Sequence, residues 1–240
     1  MTAVSFVART DVGRKRKANE DFFAVDEARQ IFVVADGLGG HAAGRTASET
    51  ASFRFCETMR EIGDVPPLEA VRRAFHDAHA AVMDRSLNEP ELAGMGTTLV
   101  TLWVRERTAV LAHAGDSRIY LVRGEEIYLL THDHSLVSEL VFRGKLTPEG
   151  ARTHPHRHFI TRALGVGECT EPDASELLIE PGDVFVLCSD GVTTPVSGEE
   201  IRDQLAEAKG DLGQAAEALI ALANERGGDD NATVLMVAIN

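Results

Sequence analysis

Four short stretches of this chain place carboxylates where they could hold cations: Asn19-Glu20-Asp21, Asp36-Gly37, Ser189-Asp190-Gly191 and Asp229-Asp230-Asn231. Taken singly, each reads as an ordinary turn, because Asp, Asn and Gly favour turns on their own account. Their shared context changes that reading. The segments IFVVADG and VFVLCSDG both run an apolar strand straight into an aspartate and a glycine, and a buried strand can fix its terminal carboxylate rigidly in a cleft. Several carboxylates brought together repel one another and need cations, and oxygen ligands alone select hard ions such as Mg²⁺ or Mn²⁺ over zinc. The glycine after Asp36 lets its own carbonyl approach such an ion. The only basic cluster, Arg14-Lys15-Arg16-Lys17, is too short for a nucleic-acid groove but can meet one phosphate group; a solvated basic turn is the plainer alternative.

Elements able to position these groups can be read from periodicity. Alternation or apolar runs predict strands at 4–8, 22–25, 31–35, 97–104, 108–113, 119–122 and 127–130. RERTAV and RGEE look like hairpin connections, so the middle of the chain reads as an antiparallel meander. Ala47, Ala51, Phe55 and Met59 recur every fourth residue and predict a helix over 42–62; a second is expected over 68–83, begun by Pro66-Pro67 with Asp64 as a cap. A short helix is expected at 135–142, then a polar, His-rich stretch over 143–158. Strands resume near Leu177 and at 184–187, followed by helices at 199–208 and 212–226 and a last strand at 233–239. Helices in runs and strands in runs point to an α+β fold rather than strict βαβ alternation. With no repeat or linker, one domain over 1–240 is expected.

Composition bounds the function. With 38 acidic against 24 basic residues and a formal charge of −14, nucleic-acid binding is not expected. No apolar run approaches the roughly 20 residues that span a bilayer, and MTAVSFVART lacks the pattern of a secretory signal. Three cysteines, Cys56, Cys169 and Cys188, fit neither a disulfide framework nor a zinc site, so a reducing cytoplasm is the expected location. None carries an arginine at the spacing of a cysteine-phosphatase loop. Residues 37–42 satisfy a GxGxxA dinucleotide pattern, but the second parallel strand with its acidic residue is missing. His132, His134, His154, His156 and His158 raise the question of zinc, though such density in a polar stretch suits a surface loop better.

Taken jointly and in order, the motifs Arg16-Lys17-Ala18-Asn19-Glu20-Asp21, Asp36-Gly37-Leu38-Gly39-Gly40-His41, Gly96-Thr97-Thr98, Gly115-Asp116-Ser117-Arg118, Asp133-His134-Ser135, Ser189-Asp190-Gly191 and Gly228-Asp229-Asp230-Asn231 resemble the bacterial protein phosphatases of the PP2C, or PPM, type over nearly the whole chain. The resemblance implies a four-layer α-β-β-α sandwich with two central antiparallel sheets. It also implies hydrolysis of phosphoserine and phosphothreonine in proteins by in-line attack of a metal-bridging hydroxide, with no covalent intermediate.

Carried over residue by residue, the resemblance makes Asp36 a bridge between two Mg²⁺ or Mn²⁺ ions. Asp190 and Asp230 complete one site, while Glu20 and the Gly37 carbonyl contribute to the other, with Asp21 supporting them through water. Asp116 with Asp190 would hold a third ion, and Arg16 would grip the substrate phosphate. Residues 142–164 resemble a mobile flap that borders the active site. Leu38 stands where animal members carry a histidine that is thought to protonate the leaving group, so His41 or water is expected to take that role. Expected partners are phosphoproteins, including a Ser/Thr kinase and its targets; neither nucleic acid nor membrane is expected, and the chain is expected to be a monomer. Two rival readings are a pseudophosphatase that binds without turnover, disfavoured because Glu20, Asp36, Asp116, Asp190 and Asp230 are all present, and a nucleotide phosphodiesterase, for which no base-binding motif is evident.

Overall fold

The structure is a computed structural model that describes residues 2–40, 42–168 and 171–240. Strand alternation explains its layers. In β3 (Ile31–Leu38) the odd residues Ile31, Val33 and Ala35 belong to one buried cluster and the even residues Phe32 and Val34 to another. A strand shows such two-sided burial only when both faces of its sheet are covered.

Sheet I has the order β1 (Val4–Asp11), β11 (Ala232–Ile239), β10 (Val184–Cys188), β7 (Arg118–Arg123), β8 (Glu126–Leu129), and every pairing is antiparallel. Sheet II runs β2 (Asp21–Asp26), β3, β5 (Leu99–Arg105), β6 (Thr108–Ala114), β9 (Asp173–Leu178), also antiparallel, with the short β4 (Gly96–Thr97) paired to the end of β3.

Helices α1 (Ala42–Glu61) and α2 (Pro67–Asn88) cover the outer face of sheet II, where Phe55 and Phe75 pack edge to face at 5.5 Å. On sheet I, α6 (Gly198–Glu207) and α7 (Leu212–Glu225) bury Ile201, Ala215 and Leu219 against Val186, Val234 and Met236. Between the sheets lie Phe32, Val34, Leu102, Phe185, Leu187, Leu235 and Val237. This is the expected four-layer sandwich with two central antiparallel sheets. The antiparallel β2–β3 pair also disposes of the dinucleotide reading, which needs parallel strands.

Three local expectations are corrected. The middle of the chain is not one meander: β5–β6 is a hairpin of sheet II and β7–β8 a hairpin of sheet I, and the chain crosses between them at residues 115–117. Asp64 does not cap α2, because Pro66 holds the N-cap position without a side-chain bond and Pro67 supplies the pre-set first helical φ. The polar stretch after α3 (Leu136–Phe142) contains a further helix, α4 (Pro148–Thr153), capped by the Thr147 hydroxyl accepting from Gly150 N.

Candidate active site

The inter-sheet faces decide which polar residues meet. Continuing the alternation of the buried rows, Asp36 of β3, Asp21 of β2, Ser189 after β10 and Thr233 of β11 all point into the same end of the sandwich. Asp21 and Asp36 are register partners. The Ser189 and Thr233 hydroxyls each donate to Asp21 Oδ2 at 2.7 Å. Asp190 opens the short helix α5 (Asp190–Thr193) immediately after β10, and Asp116 sits in the crossover between the sheets. Neither Asp-Gly pair is a free turn: Gly37 continues β3 against Thr97, and Gly191 lies inside α5.

Asp36, Asp116 and Asp190 line a cleft of about 670 Å³, whose wall also includes Arg16, Glu20, Gly37 and Asp230, with Arg157, His158 and Ile160 contributed from the predicted flap. All the expected site residues therefore converge except two. Asp21 lies behind the wall as a buried support, and His41 lies outside the described residues. Cys169 is also outside them, whereas Cys56 and Cys188 are buried free thiols with burial pushing them up to about 11 and about 12.

The electrostatics are those of a site short of positive charge. Burial, then the charges of Asp21, Asp190, Asp116 and Asp230, hold the Asp36 carboxyl well above its usual range. Burial and Asp190 push Asp116 up to about 8; burial pushes Asp21 up to about 7; burial and Asp230 raise Asp190. Oδ1 of Asp21, of Asp116 and of Asp190 is buried without a hydrogen-bond partner among the described residues. Buried carboxylate oxygens are rarely left this way unless something else binds them. The donor set is all oxygen, which suits Mg²⁺ or Mn²⁺. Arg16 brings a counter-charge to the cluster, its Nη2 2.6 Å from Asp230 Oδ2, while Lys15 pairs with Asp229 on the rim at 2.6 Å.

Several supporting residues escaped the sequence reading. Asn231 Oδ1 accepts from Glu20 N at 2.8 Å, and its Nδ2 donates to the Val12 and Ala18 carbonyls, pinning the β1–β2 loop to the start of β11. Thr98 Oγ1 accepts from Asp36 N and Thr97 Oγ1 donates to the Asp36 carbonyl, both at 2.9 Å. These three were visible as motif letters, but the partners they hold are distant in sequence. Gly44, one turn into α1, carried no signal at all. A Cβ there would lie 2.0 Å from Glu20 Oε2 and 3.0 Å from the Gly37 carbonyl oxygen. Gly44→Ala is therefore expected to keep the helix but displace the Glu20 carboxylate, weakening Mn²⁺ binding by roughly tenfold. Titration calorimetry would check this, and an unchanged isotherm would remove Glu20 from the ligand set.

The protein phosphatase 2C family profile matches residues 13–227. The chain belongs to this family. It is 40% identical over 243 residues to protein phosphatase PhpP of Streptococcus pneumoniae, with 96% of each chain covered. It is 38% identical over 236 residues to the serine/threonine phosphatase stp of Listeria monocytogenes, covering 95% of this chain and 93% of the relative. Among solved structures, the Mycobacterium tuberculosis serine/threonine phosphatase PstP/Ppp superposes with a TM-score of 0.88 at 36% identity, covering 99% of both chains. The PstP catalytic domain in complex with two manganese ions also reaches a TM-score of 0.88, at 35% identity over 98% of each. In this PP2C-family chain no described helix is long and apolar enough to cross a membrane.

Proposed function

We infer that this chain is a metal-dependent protein phosphatase that releases phosphate from phosphoserine and phosphothreonine in proteins. The observation that carries the reading is the convergence of Glu20, Asp36, Asp116, Asp190 and Asp230 on one cleft, with Oδ1 of Asp116 and of Asp190 buried and unpartnered among the described residues. The PstP catalytic domain is in complex with two manganese ions, which supports a two-cation core here; in this reading Asp36 would serve both ions, with Asp190 and Asp230 completing one site and Glu20 with the Gly37 carbonyl contributing to the other. Asp116 with Asp190 is proposed for a third, and Asp21 braces the set from behind. Cations bound there would activate a water and screen charge developing on the phosphoryl oxygens.

The chain's own residues do the rest. Arg16, half exposed at the mouth and held by Asp230, presents a planar fork to two phosphate oxygens and aligns phosphorus for in-line displacement. The buried strand ends fix Asp36 and Asp190, so no reorganisation is needed at the moment of reaction. Leu38 lines the cleft and cannot donate a proton. The proton for the departing serine or threonine oxygen is assigned to water, to His41 or to His158, which lines the cleft from the flap.

The test is phosphate release from a phosphothreonine peptide under EDTA, Mg²⁺ and Mn²⁺. Release that requires a divalent ion supports the reading; binding of the peptide by folded protein without release under any ion would replace it with a pseudophosphatase. The flap adds a substrate preference. Residues 142–164 carry Arg143, Lys145, Arg152, Arg157 and Arg162 against one acid, Glu149, in a chain of charge −14. Peptides with acidic residues flanking the phosphothreonine are expected to show roughly tenfold higher kcat/KM than neutral ones at low salt. The advantage should vanish near 1 M salt, where the Debye length is about 3 Å. Equal rates at low salt would contradict it. A Ser/Thr kinase and its targets are the proposed physiological partners, with the enzyme acting as a monomer.

A further inference from the structure

Beneath the flap, side-chain ligand atoms of His113, His134 and Asp173 lie within 4.8 Å of one another. One shared cation does not fit them. The two imidazoles are stacked 10° from parallel with centroids 4.7 Å apart, whereas lone pairs that meet at an ion need ring planes that intersect there. Arg162 Nη1 also stands 3.3 Å from His134 Nε2 and 3.0 Å from Asp173 Oδ1, occupying the gap with positive charge. The same groups make a connected set of hydrogen bonds instead.

We propose that His134 is a positioning residue that ties the loop carrying Asp116 to the root of the flap. On the loop side, His134 N donates to the Gly115 carbonyl at 2.9 Å, and Gly115 N donates back to His134 Nδ1 at 3.2 Å. Gly115 has φ +112°, and a Cβ there would lie 2.6 Å from Thr98 Cβ, so this position of the crossover requires glycine, and Asp116 follows directly. Because Nδ1 accepts, the neutral ring carries its proton on Nε2, which faces Asp173 Oδ2 at 3.3 Å; Arg162 Nη1, a donor, then makes no hydrogen bond to that nitrogen and is held by Asp173 Oδ1 instead. Burial and the neighbouring His113 push His134 down to about 4, in keeping with a neutral ring. On the flap side, Thr161 N donates to the His134 carbonyl at 2.8 Å, and Arg162 grips the same Asp173. His113 completes the set from β6, its Nε2 donating to the His132 carbonyl at 2.9 Å. One buried ring thus bonds the cation-site loop with one nitrogen and the flap's anchor with the other.

The inference rests on reading Asp116 as a cation ligand. Two conservative variants separate its halves: in His134→Asn the amide oxygen takes the place of Nδ1, and in His134→Gln the amide reaches the place of Nε2. Equilibrium Mn²⁺ binding by calorimetry and tryptic cleavage within the flap are measured beside Asp116→Ala. His134→Asn is expected to keep the wild-type Mn²⁺ isotherm while its flap is cut several-fold faster. His134→Gln is expected to lose about tenfold at the weakest Mn²⁺ step, as Asp116→Ala does, with wild-type flap cutting. Variants that leave both readouts unchanged, or shift both in parallel, would overturn the proposal, as would an Asp116→Ala isotherm equal to wild type. Should His134→Gln fold poorly, His134→Asn decides alone: wild-type flap cutting overturns the link. None of these readouts requires turnover. Absent phosphate release alongside the expected isotherms would therefore sink the phosphatase reading and leave this one standing.

Discussion

Asp36→Asn is expected to cut phosphate release from a phosphothreonine peptide by about a thousandfold while making the metal-free protein more resistant to heat. The two effects have one cause. Asp36 faces Asp21, Asp190, Asp116 and Asp230, and burial together with those charges holds its carboxyl well above the usual range. Such a group is costly to the fold and is retained for what it binds. Asparagine keeps the shape and one acceptor oxygen but removes the charge, so the repulsion falls together with the ability to bridge cations. Replacing buried charge in this way stabilises by roughly 1–3 kcal/mol, which a thermal melt in EDTA would show as a higher midpoint. Activity loss accompanied by a lower midpoint would mean that Asp36 is a structural residue, and its place at the centre of the site would be lost.

This opposition between stability and chemistry also explains what the sequence made legible. Strands ending in Asp36 and Asp190 were readable because a buried apolar run followed by a carboxylate violates the local rule that charge belongs in turns, and such violations concentrate at functional sites. The helices over 42–62 and 68–83 were readable from four-residue spacing alone. The two-sheet division came only with the family resemblance and not from periodicity, because the crossover at Gly115-Asp116-Ser117 has the same composition as a hairpin turn. What distinguishes it is the partner strand: β6 pairs with β5 and β9, and β7 with β10 and β8, and those pairings join residues far apart in the chain. Supports such as Asn231 and Gly44 were hidden for the same reason. Gly44 is required by a carboxylate that comes from another element, and a glycine in a helix carries no label saying which neighbour needs the space.

The second large effect is a stability that runs in opposite directions with pH according to the cation supply. In EDTA, the folded protein holds protons on Asp116 up to about 8 and on Asp21 up to about 7, against 3.8 for the free side chain. Above 3.8 the unfolded chain has released those protons and the folded state has not. The folded state binds more protons, so stability falls as pH rises, by up to about 1.4 kcal/mol per pH unit for each retained proton. Buried histidines act the other way: His134 is pushed down to about 4 and His113 and His79 are lowered, so they add stability as pH rises toward 6.5 and nothing beyond. The window from about 6.5 to 8 therefore isolates the carboxyl groups, and the melting midpoint in EDTA should drop across it. With saturating Mn²⁺ the same carboxylates are held ionised in the folded state below their unfolded values, so their stabilisation is full throughout that window and is lost only as pH falls. The gap between the Mn²⁺ and EDTA melting curves should thus widen from pH 6.5 to 8. A gap that stays constant, with an EDTA midpoint that does not fall, would mean that these carboxyl groups are ionised in the metal-free fold, and that the cleft is not organised by a deficit of positive charge.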